Sequence, residues 1–459
     1  MGSRLENYVL FVTTLTTFFI IFLSTAVMIA IPTISNEFGM SNIVQNWINT
    51  IYLLAIVVFT IPAGQISAKY GLKKTMVIGL IVFTITSAII MFSSSQDMFL
   101  ILRIFQAIGA SFLTVASTAL LVSAFKAENR GKALGINVIG IFLAACLSPI
   151  IGGFLNNSYG WRSIFLVTLP FLVVCLILLI TKINKEWKTL EDVSIDIKGI
   201  ILCSVGILLF VFGFTTLNLP FGFILVILGI LVLVLFYFVE RNMEHPVFNV
   251  NLFKNPKFLT SNIATLCAFF ALSAILTIVN YHLQYIRGFN SQEAGFIILI
   301  APVVQVVLSP IAGRMSDKIN PQKLAAVGAT IGGVGIAIIA TVSNGTPIEV
   351  LMLAFFLLGL GFGLFSSPNT NAIMGSVPKK ETSMASASYS TVRVVGQTMS
   401  MGTFTFIFSI IMGNVAIVPS NFHLLVLSSQ ITATICAIVC FVSAIVSVIG
   451  FKSKGYYNA

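Results

Sequence analysis

Gly64-Gln65-Ile66-Ser67-Ala68-Lys69-Tyr70-Gly71-Leu72-Lys73-Lys74 separates two apolar runs, 47–67 and 75–93. Each run is near the roughly 20 residues that a helix needs to cross a bilayer. The stretch is short, basic and punctuated by glycine. It recurs 249 positions later as Gly313-Arg314-Met315-Ser316-Asp317-Lys318-Ile319-Asn320-Pro321-Gln322-Lys323. Gly64/Gly313, Ser67/Ser316, Lys69/Lys318 and Lys74/Lys323 are identical, and Pro62 and Pro310 precede the two copies. One basic loop is what any membrane protein has. Two copies at equivalent places mark a duplicated chain, each half with a basic loop after its second helix, a build common among transporters.

Composition agrees. Of 459 residues, 58% are hydrophobic and 8% charged, against about 25% charged in a soluble domain. With 40 Phe and long uncharged runs, the backbone must satisfy its own polar groups inside the bilayer, which helices do. The net charge of +11 is scattered over many short loops, so it implies no nucleic-acid partner. Cys146, Cys175, Cys203, Cys267, Cys436 and Cys440 all lie within apolar runs. Cys436 and Cys440 share a helix face but have no His or further Cys beside them, so no metal and no disulfide is expected. No nucleophile–base pair or nucleotide-binding loop appears, so neither catalysis nor a cofactor is expected. Residues 9–32 form too long an apolar run for a cleaved leader.

Fourteen spans are predicted: 9–32, 47–67, 75–93, 98–124, 134–155, 162–181, 199–217, 221–239, 259–283, 294–312, 323–342, 349–372, 386–413 and 425–450. With the N-terminus inside, the basic residues around 69–74, 126–132, 182–188, 254–257, 314–318, 379–380 and 452–454 are cytoplasmic. The outer loops hold only Arg162 and Arg287, which satisfies the positive-inside rule and puts both termini in the cytoplasm. The chain divides into 1–181, a first six-helix half; 182–239, a charged linker and two extra helices; and 240–459, a second six-helix half.

The basic stretch resembles the loop signature of the major facilitator superfamily, G-x-L-A-D-R-x-G-R-K, through Gly64, Ile66, Lys69, Gly71, Lys73 and Lys74. Ala68 stands where the family has an aspartate. The second copy has Gly313 and keeps the acid as Asp317, for which the resemblance implies a conformational latch. Other stretches are similar to signatures of the drug/proton antiporters. Thr25, Val27, Ala30 and Pro32 match the first-helix pattern, but Leu23 and Met28 replace its carboxylate and amide. Trp47 to Leu54 resembles W-V-x-T-A-Y-x-L. Ala144-Ala145-Cys146-Leu147-Ser148-Pro149-Ile150-Ile151-Gly152-Gly153 is similar to the exporter signature G-x-x-x-G-P-x-x-G-G, with Pro149, Gly152 and Gly153 retained. Small side chains at 144, 148 and 152 share one helix face and admit a close neighbour, and Pro149 can set a kink. Glu244 to Phe248 and the two extra helices point to the fourteen-helix branch. The resemblance implies an all-α integral membrane protein of major facilitator fold, working as a monomer in the plasma membrane. It further implies efflux of small molecules, driven by protons.

The residues supply few groups for that chemistry. Leu102-Arg103-Ile104-Phe105-Gln106 resembles the superfamily's L-x-x-R-x-x-Q, and an arginine within a span is a candidate functional group. With Asn49, Gln106, Asn137, Gln305 and Asn371 it is expected to line a substrate cavity. All 14 Asp and Glu fall in loops or at helix ends. His282 is the candidate proton site that remains within a span. Without the first-helix carboxylate, a cavity-facing Arg103 favours neutral or anionic cargo over hydrophobic cations. A specific metabolite or lipid precursor, moved without proton coupling, is the alternative.

Overall fold

The computed structural model describes residues 4–125, 127–187, 196–217, 219–241, 243, 250–316, 318–378, 382–413 and 415–452. Among the described residues there is no strand, and fourteen segments are long and apolar enough to cross a membrane. The first six helices are α1 (Arg4–Phe38), α2 (Asn42–Tyr70), α3 (Leu72–Ile90), α4 (Gln96–Ala124), α5 (Ala127–Tyr159) and α6 (Arg162–Thr181). Two more follow, α7 (Ile197–Thr215) and α8 (Pro220–Glu240). The remainder holds α9 (Pro256–Tyr281), α10 (Ser291–Ile298), α11 (Ile300–Ser316), α12 (Pro321–Ala340), α13 (Ile348–Gly375), α14 (Thr382–Ile411) and α15 (Phe422–Lys452).

Most helices differ from the expected bounds by a few residues, and two of the differences have a reason in the backbone. Helix α1 has 35 residues, about 50 Å at 1.5 Å per residue, so it outruns a hydrocarbon core of about 30 Å. Pro32 therefore lies inside the helix and does not end it. The tenth span is broken at Leu299 into α10 and α11. Pro302 has no N–H for the Ile298 carbonyl and its ring crowds that carbonyl; regular bonding resumes where Val303 N–H meets Leu299 O at 3.1 Å.

The chain forms two compact units. The first comprises residues 1–40, 47–205 and 290–295, the second 41–46, 206–289 and 296–459. Within the first, α3 packs on α4, α1 on α5, and α6 on α1 and α3. Within the second, the same pairing recurs as α12 on α13, α9 on α14, and α15 on α9 and α12. The duplication legible in the two basic loops is thus also a duplication of packing.

In the second unit, α7 and α8 approach closely through glycine. A Cβ on Gly213 would collide with Leu225 and Val226, and one on Gly229 with Phe210. The other side of α8 is bare: Phe223, Ile224, Ile227 and Leu231 are all exposed, an apolar face suited to lipid.

Candidate functional site

Arg103 lies two turns into α4, about 10 Å from its first residue. It is 1% exposed, so the cavity-facing placement expected of it does not hold in this conformation. Arginine can only donate, and that sets the direction of everything around it. Arg103 Nη1 donates to Gln106 Oε1 at 2.6 Å, Gln106 Nε2 donates to Ser87 Oγ on α3 at 2.7 Å, and Ser87 Oγ donates to the Phe83 carbonyl at 2.6 Å. Above the guanidinium lies the ring of Tyr52 on α2, its centroid 4.0 Å from Cζ. A desolvated cation–π contact of this kind is worth about 2 kcal/mol. Among the described residues no carboxylate pairs with Arg103; Arg162–Glu37 is the ion pair recorded there, at 2.7 Å.

The other expected cavity residues scatter. Asn49 lies one turn before Tyr52 on α2 and is 9% exposed; Asn137 is buried on α5 with its Nδ2 unpartnered. Gln305 and Asn371 belong to the second unit. Gln305, on α11, packs beneath Gly363 of α13, and Asn371 donates to Ser316 Oγ at 2.6 Å. Only Arg103 and Gln106 of the six touch each other directly. The sequence reading missed Tyr52 and Ser87 as partners. Tyr52 was visible in the second-span pattern, whereas nothing distinguishes Ser87 from other serines until α3 is laid on α4.

His282 does not offer a free site for a proton. It opens a π-helical turn, His282–Ile286, in which the Arg287 N–H reaches the His282 carbonyl at 3.1 Å. Its Nε2 accepts from Arg287 Nε at 3.4 Å, and the same guanidinium donates to the Thr346 carbonyl. The nitrogen that would take up a proton faces a cation and is already an acceptor. Among the described residues, the buried acids are Asp196, 8% exposed just before α7, and Glu240, 1% exposed at the end of α8.

The two basic loops share a pattern but not a mechanism. In the first, Glu186 from the linker reaches the start of α3, where its carboxylate accepts from Lys73 N at 2.8 Å and Lys74 N at 3.2 Å. The Trp187 carbonyl accepts from Leu72 N at 2.9 Å. Gly71 makes room for this: its φ of 116° suits glycine alone, and a Cβ there would collide with Glu186. Lys73 thus contributes its backbone N–H. Gly64 has open space around it, while a Cβ on Gly313 would press on the Ser367 hydroxyl. In the second loop Asn320 caps α12, its side chain accepting from Gln322 N at 3.0 Å. Asp317, the linker residues 188–195, Lys379, Lys380 and the stretch Glu244 to Phe248 lie outside the described residues.

On α5 the small-residue face is in use within the first unit. A Cβ on Gly152 would strike Ala26 of α1, one on Gly153 would strike Ser291, and one on Gly295 would strike the Pro149 carbonyl. Asn156, one turn beyond Gly152, donates to Thr33 Oγ1 at 2.8 Å and Ser291 Oγ at 2.6 Å. In the second unit, Tyr281 donates to Asn46 Oδ1 at 2.9 Å and Tyr285 to Gln45 Oε1 at 3.0 Å. These pairs also escaped the sequence reading, since their members are far apart in the chain.

Fourteen helices long and apolar enough to cross a membrane, in two similarly packed units with a buried arginine, have the build of a polytopic membrane protein. Residues 13–193 and 197–401 match the Major Facilitator Superfamily, and the chain belongs to that family. It is a membrane transporter of that type. The chain is 28% identical over 426 residues to the riboflavin transporter RibZ of Clostridioides difficile (strain 630), covering 92% of each chain. It is 26% identical over 392 residues to the multidrug resistance protein Stp of Mycobacterium tuberculosis (strain CDC 1551 / Oshkosh), covering 83% of this chain and 72% of Stp. Among solved structures, a bacterial homologue of the human lysosomal transporter Spinster, inward-facing and unoccupied, superposes with a TM-score of 0.73 at 14% identity over 98% of both chains. A POT family transporter in complex with 5-aminolevulinic acid gives 0.72 at 15% identity, over 97% of this chain and 95% of that one. At such identities the structures speak for the fold.

Proposed function

We propose that the protein exports small amphiphilic molecules from the cytoplasm by alternating access of its two halves, driven by proton exchange. It works as a monomer in the plasma membrane, with both termini cytoplasmic. The observation that carries the reading is the packing of α5. Its exporter-like face, Ser148 to Gly153, is pressed against α1 at Ala26 and against the start of α10 at Ser291 and Gly295. The similarity to Stp supports efflux as the direction. Proton coupling has its candidate carboxylates in Asp196 and Glu240, which flank the two extra helices.

A second reading rests on RibZ, whose similarity runs over 92% of both chains. On it, the cargo is one flat heteroaromatic metabolite, and the coupling ion is dispensable. The two readings separate in proteoliposomes of the purified chain under an imposed pH gradient. An exporter accumulates several unrelated amphiphilic dyes when the gradient is present and none when it is collapsed by an uncoupler. A metabolite carrier moves riboflavin with or without the gradient and ignores the dyes. Movement of neither class would remove both.

A further inference from the structure

The guanidinium of Arg103 has an unfinished coordination shell. Nη1 is used by Gln106, but Nε and Nη2 have no hydrogen-bond partner, although the residue is 1% exposed. The hydroxyl of Tyr52, itself 1% exposed, has none either. Buried donors are almost always satisfied, and a fully desolvated cation with vacant donors is among the costliest groups a protein can hold. The surroundings cannot supply what is missing. Gln106 has already turned its one carbonyl oxygen to Nη1, and its amide points away to Ser87. The first-helix position at which the family carries a carboxylate is Leu23, fully buried and apolar.

What completes such a shell must bring both acceptor lone pairs and negative charge. Water brings only the first. We propose that Arg103, with the Tyr52 hydroxyl beside it, is an anion-binding site that takes a monoanion in place of a protein carboxylate. The charge comes either from the carboxylate of a cargo molecule or from a small free anion such as chloride. The relay Gln106–Ser87–Phe83 holds the guanidinium plane fixed from one side. The Tyr52 ring covers a face of it, leaving the Nε–Nη2 edge as the binding edge. The cargo arm rests on the transport reading above; the free-anion arm does not.

The test uses the full-length chain and two measurements. In detergent, sodium chloride is titrated against sodium gluconate at constant ionic strength while thermal unfolding is followed. A site that binds the folded state raises the midpoint saturably, by about 2 °C or more well above its Kd. In proteoliposomes, an aromatic carboxylate dye is compared with its methyl ester. If the free anion is the source, chloride shifts the midpoint of the unmodified protein, and the shift vanishes in Arg103→Gln. If the cargo is the source, Arg103→Gln lowers transport of the acid about tenfold while the ester changes less than twofold, the expected loss for one charged hydrogen-bonding contact. Arg103→Lys retains the charge without the planar fork. It serves if the glutamine variant does not fold, and it should weaken either effect several-fold. A midpoint indifferent to chloride, together with acid and ester transported alike by the unmodified protein and the variants, overturns the proposal. If the folded protein moves no cargo at all, the transport reading has failed, and the chloride titration alone decides the site.

Discussion

Glu186 Oε1 accepts the backbone N–H of Lys73 at 2.8 Å, which ties the linker between the two halves to the first turn of α3. The second carboxylate oxygen takes Lys74 N, and Gly71 leaves the space that both bonds need. At the equivalent place in the other half, Asn320 caps its own helix from within the loop. The same requirement, covering the free N–H groups of a helix start, is met once by a distant residue and once by a local one. The linker thus supplies a carboxylate at the N-terminus of α3, where the helix dipole favours it.

Glu186→Gln removes the charge and keeps an acceptor, and is expected to cost about 0.5–1 kcal/mol. Glu186→Ala removes both acceptors and should cost about 1–2 kcal/mol. Protease accessibility of the linker in membranes reports the difference, with cleavage rising from the unmodified protein through Gln to Ala. Asn320→Ala should leave linker cleavage unchanged, since its cap is local. Equal cleavage in all four proteins would mean that the clamp contributes nothing.

Gly71→Ala is predicted to be worse than Gly64→Ala despite both being glycines of one signature. The alanine at 71 meets a backbone conformation reserved for glycine, at about 1–3 kcal/mol, and collides with Glu186 as well. At 64 nothing lies within 4 Å of the added carbon. Folded yield after detergent extraction, measured by size-exclusion chromatography, separates the two; matched yields would contradict the account.

Gly152→Val inserts an isopropyl group between α5 and Ala26 of α1, an overpacking expected to cost about 1–3 kcal/mol. Transport should fall while surface expression persists, because the contact lies where α5 must stay close to α1. The compensating pair Gly152→Ala with Ala26→Gly, which moves the methyl from one helix to the other, should recover most of the activity. Failure of that pair to recover would point away from steric packing.

His282→Gln keeps a hydrogen-bonding side chain beside Arg287 and is expected to leave pH-driven dye export within about twofold of normal. Glu240→Gln and Asp196→Asn, separately or together, should make export insensitive to the pH gradient while dye exchange at equal pH continues. Loss of coupling in His282→Gln alone would reverse the assignment. The fold changes are read as rate ratios, where about 1.4 kcal/mol corresponds to tenfold.

Orientation is testable with single cysteines at Lys185, exposed in the linker, and Gly345, in open space between α12 and α13. A membrane-impermeant maleimide should label 345 in intact cells and 185 only after permeabilisation. Of the native thiols, five are buried and Cys146 is half-buried, so a background lacking Cys146 suffices. Labelling of 185 from outside would invert the topology.

The number of spans, the duplication and the family were legible in the chain because hydropathy and loop charge act locally, and each is written in consecutive residues. The bilayer enforces them segment by segment: a long apolar run must be a helix wherever its neighbours end up. The Arg103–Gln106 pair was legible for the same reason, being one turn apart on a single helix. What covers that pair was not. Tyr52 reaches Arg103 and Ser87 reaches Gln106 from two other helices, Glu186 reaches Lys73 across 113 positions, and Tyr281 reaches Asn46 across 235. No periodicity records such meetings, since they depend on how α2, α3 and α4 are rotated and stacked. The turn at His282 likewise came from backbone hydrogen bonding, whereas Pro302, which breaks the tenth span at Leu299, stands in the chain to be read. Local chemistry decided which segments enter the membrane; only the packing of one helix on another decided that Arg103 is enclosed, with two of its nitrogens left without a partner.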